Sequence, residues 1–345
     1  MTLLAEPTIP SRRFAAGSTR FDLGLSENPF PPLPSVIEAV RETLESANRY
    51  PEFLPEQLPR LIAEHLGMSP DEVVVGAGAT GVALQVMRAL GTGELVSATP
   101  TFDGYAVLAD MAGMTLVPVP LDAAGNQDLP AMRRAVNRRT QLVVVCRPHN
   151  PTGTLLDAAA VRSFLSAVGR KIPVLLDEAY VEFLAPTARL DIHELLRKHP
   201  NLLILRTFSK AYGLAGLRIG YCLGRSPLID RIRHQQLPFG VPTAAVAAVR
   251  ASYAAEPELL DRVARITHER TRLRSALRAT GIETPESHAN FLYIPGPGTA
   301  TTLRRAGIKA KPYPDGSVRI AIGTPTATRA VHTALTTPHH SEPPR

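Results

Sequence analysis

The order of the apolar segments constrains the fold of this chain more than any other sequence feature. Between residues 35 and 240, short runs rich in Val, Ile and Leu recur without polar alternation, and segments of helical periodicity separate most of them. The runs are ELVSA, MTLVPV, QLVVVC, IPVLLD, NLLILRTF and LRIGYCLG. Strands that are apolar on both faces are typical of a parallel sheet covered by helices. The pattern therefore predicts a doubly wound, mostly parallel α/β sheet.

Helix signals support this alternation. The segment SVIEAVRETLESA (35–47) has apolar residues at helical spacing and predicts a helix with Ser35 as its N-cap. The segment ATGVALQVMRALG (79–91) predicts a helix that ends in Gly91. Further helices are predicted at DAAAVRSFLSAVG and DIHELLRKH, between the later strands.

A different pattern begins after residue 242. Two long helical segments, AAVAAVRASYAAE and PELLDRVARITHERTRLRSALRATG, precede the strand candidates NFLYI and SVRIAI and a last helix around TATRAVHTAL. This order predicts a smaller α+β domain. We place an N-terminal arm at 1–34, the large domain at 35–242, the small domain at 243–336 and a flexible tail at 337–345.

Charge and composition narrow the range of partners. The formal net charge is +7, but the Lys and Arg residues are scattered and form no long basic run, so we expect small anionic molecules rather than nucleic acid as partners. No apolar stretch approaches the ~20 residues of a membrane span. Cys146 and Cys222 lie in strand-like runs, which predicts buried free thiols in a reducing cytoplasm.

Polar side chains follow three of the predicted strands at the point where each strand ends. Asn150 comes shortly after QLVVVC, Asp177 and Tyr180 follow IPVLL, and Ser209 and Lys210 follow NLLILRTF. Ligands of open α/β sheets bind at the carboxyl ends of the strands, so we expect these side chains in one site. An amide, an acid, a phenol and a lysine are the groups that a pyridoxal phosphate (PLP) site requires.

A loop of small residues at 76–81 precedes the predicted helix 79–91. Its backbone N–H groups at Gly78, Ala79 and Thr80 are open to close approach, and a helix N-terminus favours an anion such as a phosphate. The same loop would also suit an ordinary turn between a strand and a helix.

The motifs in order resemble those of the fold-type I aminotransferases. They are Asn-Pro-Thr-Gly at 150–153, Asp-Glu-Ala-Tyr at 177–180, and Ser-Lys at 209–210 with Arg218 eight positions after the lysine. The stretch RTFSKAYGLAGLRIGY is similar to the histidinol-phosphate aminotransferase branch, which includes aromatic amino-acid aminotransferases. The resemblance implies a PLP-dependent aminotransferase without a metal.

The resemblance also implies the roles of the residues around the reacting atoms. Lys210 would form the Schiff base with PLP and then move the proton at the substrate Cα. Asp177 would face the pyridine nitrogen, and Tyr180 and Asn150 would hydrogen-bond the phenolic oxygen of the cofactor. Phe102 stands where the family has an aromatic ring that stacks on PLP, although many members have Tyr there.

Further residues match the family's ligands for phosphate and carboxylate. Ser209 and Arg218 would join the 78–80 loop around the cofactor phosphate. Tyr50 resembles a tyrosine that reaches the phosphate of the neighbouring subunit, which implies a homodimer. Arg319 matches the arginine that binds the substrate α-carboxylate, beside Asn150.

The substrate side chain leaves alternatives open. Lys311 stands where histidinol-phosphate aminotransferases commonly have Arg, and Lys is the poorer bidentate partner for a phosphate. We therefore expect an aromatic amino acid as donor and 2-oxoglutarate as acceptor, with histidinol phosphate as the alternative donor. A specialised biosynthetic amine donor or acceptor is the third alternative for the substrate. A PLP-dependent decarboxylase of an amino-acid phosphate is an alternative reaction, because fold alone does not select the reaction.

Overall fold

The structure is a computed structural model that describes residues 19–337. Residues 1–18 of the predicted arm and 338–345 of the predicted tail lie outside the described residues. None of the helices within 19–337 is both long and apolar enough to cross a membrane.

A seven-stranded sheet forms the centre of the molecule, in the order β2-β8-β7-β6-β5-β3-β4. The strands are β2 (Val73–Ala77), β3 (Gly93–Thr99), β4 (Met114–Pro120), β5 (Thr140–Cys146), β6 (Val174–Asp177), β7 (Leu202–Thr207) and β8 (Ile219–Leu223). Strand β8 is antiparallel to both of its neighbours, and the remaining pairs are parallel. The prediction of a mostly parallel sheet is confirmed.

Helices cover both faces of this sheet. Those of the large unit are α1 (Pro34–Thr43), α2 (Gln57–Leu66), α3 (Gly78–Leu90), α4 (Gly104–Met111), α5 (Leu129–Ala135), α6 (Ala158–Val168), α7 (Ile192–Lys198) and α8 (Ser226–Arg233). Successive residues of β5 alternate between two buried clusters: Val143 and Val145 pack with α6 and α7, whereas Leu142 and Val144 pack with α3, α4 and α8. Both faces of the strand are therefore buried, which explains its lack of polar alternation.

The helix ends follow capping chemistry. Gly91 is the C-cap of α3, as predicted. The predicted N-cap at Ser35 is wrong: α1 begins at Pro34, after the N-cap Leu33. Proline fits the first helical position because its φ is already near the helical value and its missing N–H would have had no partner there.

The chain after residue 242 forms α9 (Thr243–Ala254), α10 (Glu256–Ala279), β9 (Phe291–Ile294), α11 (Thr299–Arg305), β10 (Ile308–Lys309), β11 (Lys311–Pro312), β12 (Val318–Ala321) and α12 (Pro325–Thr336). Strands β11, β12 and β9 pair antiparallel in a small sheet, and β10 pairs parallel with β1 (Phe21–Asp22). Helix α9 packs against α1 and α2 of the large unit. The domain boundaries stay a prediction.

Candidate active site

The candidate site is a cavity of about 270 Å³ at the carboxyl ends of β5, β6 and β7. The ends of these strands lie close together, since Cys146 at the end of β5 pairs with Asp177 at the end of β6, and Asp177 pairs with Leu205, two residues before the end of β7. The segments that follow therefore meet at one edge of the sheet. The predicted site residues that line the cavity are Ala79, Thr80, Phe102, Asn150, Asp177, Tyr180, Ser209, Lys210, Arg218 and Arg319.

Asp177 lies at the floor of the cavity, on the last position of β6. Its Oδ2 accepts a hydrogen bond of 2.5 Å from the hydroxyl of Tyr105, and its Oδ1 accepts one of 3.0 Å from the N–H of Ala179. Burial raises the pKa of Asp177, while the Tyr105 and Ala179 hydrogen bonds and the charge of Lys210 act in the opposite direction. A cationic group beside Oδ2 would favour the carboxylate further.

Lys210 reaches the cavity from the loop after β7. Its Nζ donates a hydrogen bond of 3.0 Å to the carbonyl oxygen of Ser26 and lies 5.8 Å from the centre of the Tyr180 ring. Burial, together with the positive charge of Arg319, lowers the pKa of Lys210 to about 8. About half of a lysine with this pKa is neutral at pH 8, and the neutral amine can act as a nucleophile or a base.

The other end of the cavity is suited to an anion. Arg218 Nη1 lies 3.5 Å from Ser209 Oγ, and Arg218 Nη2 lies 3.3 Å from Thr80 Oγ1, beside the N-terminus of α3. Arg218 has a φ of 52°, a left-handed conformation that is costly for a residue with a side chain. Gly78 does not line the cavity but makes room for this guanidinium, because a Cβ there would lie 2.2 Å from Arg218 Nη2.

Arg319 enters the site from β12 of the small sheet. Its Nη1 donates to Asn150 Oδ1 at 2.7 Å and its Nη2 donates to the carbonyl oxygen of Gly24 at 2.9 Å, while Nε is buried without a partner. Asn150 Nδ2 lies 3.5 Å from the hydroxyl of Tyr180, whose pKa burial raises to about 12. The large and small sheets therefore contribute to one polar network.

Besides Gly78, two predicted site residues, Tyr50 and Lys311, do not line the cavity of this single chain. Tyr50 is 83% exposed, and its ring packs 4.7 Å from the ring of Phe239. Lys311 forms an ion pair with Asp103 and does not line the cavity.

Other lining residues were missed by the sequence reasoning. Leu25, Ser26 and Glu27 line the cavity from the chain before α1, and Tyr105 lines it from α4. Tyr105 lies at the start of α4, three positions after Phe102, and the two rings pack edge to face at 5.6 Å, so its closeness in sequence to the predicted stacking residue could have identified it. Nothing local marks the segment 25–27, since its place depends on long-range contacts.

The residues present fit PLP. Arg218, Ser209 and the N-terminus of α3 would hold its phosphate, Asp177 would face its ring nitrogen, and Lys210 would hold it covalently. The room that Gly78 leaves for Arg218 supports this assignment of the phosphate end. Within the described residues 19–337, no group of three or more His, Cys, Asp or Glu side chains is placed to hold a metal ion.

Comparison with known proteins identifies the family. The profile of the family "Aminotransferase class I and II" matches residues 18–335. The aromatic amino acid aminotransferase of Cutibacterium acnes is 42% identical over 313 residues, which is 89% of this chain and 89% of that protein. The enzyme of the same name from Rhodococcus jostii is 40% identical over 323 residues, 92% of this chain and 89% of that protein.

A solved structure is similar over the same length. The histidinol-phosphate aminotransferase of Sinorhizobium meliloti, in complex with pyridoxal-5'-phosphate, superposes with a TM-score of 0.83 at 30% identity and covers 92% of this chain and 89% of its own. The chain therefore belongs to the aminotransferase class I and II family and is a PLP-dependent aminotransferase, whose substrates are an amino acid and a 2-oxo acid.

Proposed function

We propose that this enzyme moves an amino group between an aromatic amino acid and 2-oxoglutarate. The proposal rests on relatives that are named aromatic amino acid aminotransferase. They are 40–42% identical to this chain over about nine tenths of its length. The wall of the cavity is compatible with a ring, since Leu25, Phe102 and Leu108 line it. Apolar walls with a few placed polar groups are typical of such pockets.

The charges of the site disfavour a phosphorylated donor. Three cationic side chains of the described residues line the cavity, and each has its own role in this proposal. Lys210 serves the proton transfer, Arg218 the cofactor phosphate and Arg319 the α-carboxylate. Lys311 is neutralised by Asp103. Histidinol phosphate would bring a second phosphate into the site, beside that of the cofactor. Because this donor has no α-carboxylate, Arg319 would be the one lining cation among residues 19–337 left to pair with that phosphate, and burying a doubly charged group against a single cation is costly.

We assign the proton transfer at the substrate Cα to Lys210. When bound, PLP supplies an electron sink for the electrons of the Cα–H bond. The neutral Nζ of Lys210 takes the proton as a base and returns it as an acid, and its pKa of about 8 suits both directions near neutral pH. The Asp177 carboxylate, oriented by Tyr105 and Ala179, stabilises positive charge at the floor of the cavity.

Arg319 binds the α-carboxylate in this proposal. A carboxylate that enters the site would meet the Nε and terminal nitrogens of the guanidinium, and Nε has no partner in the protein. Asn150 holds the guanidinium in place through the bond of 2.7 Å from Nη1 to Oδ1. A fork of two N–H donors suits a carboxylate better than a single ammonium does.

A substrate screen tests the assignment. We expect phenylalanine or tyrosine to exceed histidinol phosphate in kcat/KM when each is paired with 2-oxoglutarate. Lys311→Ala should change kcat/KM for the aromatic donors little, whereas Arg319→Ala should lower kcat/KM for both the donor and 2-oxoglutarate. A tenfold advantage of histidinol phosphate, about 1.4 kcal/mol of discrimination, would overturn the aromatic assignment.

We also propose that the enzyme works as a homodimer. Tyr50, Phe53, Leu54, Leu237 and Phe239 form an exposed apolar patch, which we call the Tyr50 patch. Exposed clusters of large apolar side chains mark interaction surfaces in soluble proteins. A second copy of the chain is the partner that the resemblance of Tyr50 to a phosphate ligand of the neighbouring subunit favours.

The buried free thiols of Cys146 and Cys222 support a reducing compartment, and we propose the cytoplasm. Burial raises the pKa of both thiols, so neither is activated toward oxidation.

A further inference from the structure

We propose that Asn290 is a positioning residue for the reaction at Lys210. In this proposal it holds the main chain at Ser26 and Glu27 so that the Ser26 carbonyl oxygen orients the Lys210 amine. Asn290 lies just before β9, and its local sequence gives it no role in the site. The inference rests on the proposed role of Lys210 as the base.

The contacts of Asn290 are those of a pure donor. Its Nδ2 donates to the carbonyl oxygens of Ser26 and Glu27, both at 3.2 Å, and the side chain is fully buried. Its Oδ1 has no hydrogen-bond partner. Leaving a buried amide oxygen without a hydrogen bond costs free energy. We infer that an asparagine is placed here for the two hydrogen bonds that its Nδ2 donates.

The segment that Asn290 holds, residues 23–28, is defined here as the active-site strap. Its first part joins the small sheet, because Leu23 accepts a hydrogen bond from the N–H of Ala321 and donates one to the carbonyl oxygen of Lys309. At its far end, Asn28 Nδ2 donates to the carbonyl oxygens of Lys210 and Ala211 at 3.1 and 2.9 Å. The strap therefore connects the small sheet to the loop that carries Lys210.

The middle of the strap presents an acceptor to the reacting amine. Lys210 Nζ and Asn290 Nδ2 share the Ser26 carbonyl oxygen, at 3.0 and 3.2 Å. A carbonyl oxygen has two lone pairs and can accept both bonds. A neutral amine has two N–H bonds and one lone pair, so donation to Ser26 leaves the lone pair in a restricted set of directions. Without Asn290 the middle of the strap loses two hydrogen bonds between its anchored ends at Leu23 and Asn28, so the Ser26 carbonyl can shift and the amine loses this orientation.

The test compares Asn290→Leu with Asn201→Leu. Asn201 is a matched control, because it too is buried, donates Nδ2 to two carbonyl oxygens, of Gly169 and Ile172, and leaves Oδ1 without a partner. It lies before β7, at the opposite end of the strand from Lys210. Asn290→Ala and Asn201→Ala form a second pair that avoids overpacking by Leu.

We expect both Leu variants to lower the melting temperature, but only the Asn290 variants to change the chemistry. For Asn290→Leu, kcat should fall by about tenfold or more with KM for the donor within about threefold, as expected for an interaction that matters mainly in the transition state. The primary isotope effect measured with a Cα-deuterated donor should rise, because proton transfer becomes more rate-limiting.

A readout without the cofactor completes the test. The pH dependence of Lys210 acetylation by acetic anhydride, followed by mass spectrometry of the cofactor-free protein, should give a lower pKa in Asn290→Leu than in wild type. The reason is that the ammonium loses a carbonyl acceptor. Asn201→Leu should match wild type in this pKa, in kcat and in the isotope effect.

Several outcomes would overturn the positioning role. They are an Asn290→Leu protein that behaves like Asn201→Leu, a rise in KM alone, or failure of both Asn290 variants to fold while both Asn201 variants fold. The separate variant Lys210→Ala distinguishes a failure of the proposed role of Lys210 from a failure of the proposed role of Asn290. If Lys210→Ala retains turnover, Lys210 is not the base, whatever Asn290 does.

Discussion

At the scale of single residues, burial away from water shifts the pKa of two site residues of opposite charge. Burial lowers the pKa of Lys210 and raises the pKa of Asp177, so in both cases it favours the neutral form. At Asp177 the hydrogen bonds from Tyr105 and Ala179 oppose this effect. The neutral amine of Lys210 is the form that can act as a base, whereas the charged carboxylate of Asp177 is the form that can stabilise a cation. The hydrogen bonds to Asp177 favour that charged form.

We predict that the Lys210 amine titrates near pH 8. In the cofactor-free protein, acetylation of Lys210 should therefore increase through about pH 8, while exposed lysines respond near their ordinary value of 10.5. Between these two pH values the unfolded chain binds more protons at this position than the folded protein. The contribution of Lys210 to the free energy of unfolding should consequently rise with pH across that window. A Lys210 midpoint near 10.5 would contradict the burial argument.

We predict that Asp177→Asn retains the shape of the site but loses most of the activity. The substitution removes the negative charge at the cavity floor, and the loss should be several kcal/mol in transition-state stabilisation, measured as kcat/KM. Tyr105→Phe is the graded comparison, because it removes a donor to Oδ2 and keeps the charge. Its effect should be smaller, and near-normal turnover of Asp177→Asn would mean that another group faces the ring.

At the scale of elements, one antiparallel strand brings three functional side chains together. Because β8 runs antiparallel to β7, the chain returns at the same edge of the sheet, and Ser209, Lys210 and Arg218 lie within one connection. Strand β2 is antiparallel to β8 in turn, so Ala77 pairs with Ile219 and α3 begins beside Arg218. The anion end of the cavity follows from this local topology.

We predict that Gly78→Ala weakens cofactor binding. A Cβ at Gly78 would meet the Arg218 guanidinium, and the φ of +74° is itself unfavourable for Ala, by about 1–2 kcal/mol. Gly67→Ala is the matched control, because Gly67 has a φ of +64° and open space around the position of a Cβ.

Both variants should lose stability, which thermal unfolding measures. Only Gly78→Ala should raise the Kd for PLP, measured by fluorescence titration of the cofactor-free protein. An equal Kd in the two variants would mean that the position of Arg218 does not depend on Gly78.

At the scale of the whole molecule, the position of Tyr50 requires a second chain if it contributes to the site. The Tyr50 patch includes an edge-to-face contact between Phe53 and Phe239 at 5.2 Å, and Phe239 has a φ of 57°. The left-handed conformation of Phe239 is energetically unfavourable, and a contact with a second chain at this surface would offset that cost.

We predict that two inactive variants complement each other. Lys210→Ala and Tyr50→Ala, mixed by co-expression, should form hybrid dimers in which one site has both defects and the other has neither. With random assortment the mixture should regain about a quarter of the wild-type activity, since half of the dimers carry one intact site. An active enzyme that sediments as a monomer would rule out this arrangement.

The sequence alone determined the features that depend on local patterns. Apolar runs without alternation predicted β3 to β8, and Gly91 predicted the end of α3. Burial on both faces is found for the strands inside the sheet, whereas the edge strand β4 leaves Thr115 and Pro118 exposed. The motifs around Asn150, Asp177 and Lys210 predicted one site, because parallel strands end at a common edge. Strand β2 was missed: its last two residues, Gly76 and Ala77, were assigned to the small-residue loop, and its first three were assigned to no element.

Only the tertiary structure decided which distant segments complete the site. Ser26 and Asn290 are far apart in the chain, yet their contact holds the acceptor of Lys210 in place. Tyr105 reaches Asp177 because α4, which packs against α3 and β4, brings its first turn to the carboxyl end of β6. Lys311 on β11 pairs with Asp103, the residue before α4. Such contacts carry no local periodicity or capping signal, because they arise from how separate elements pack against one another.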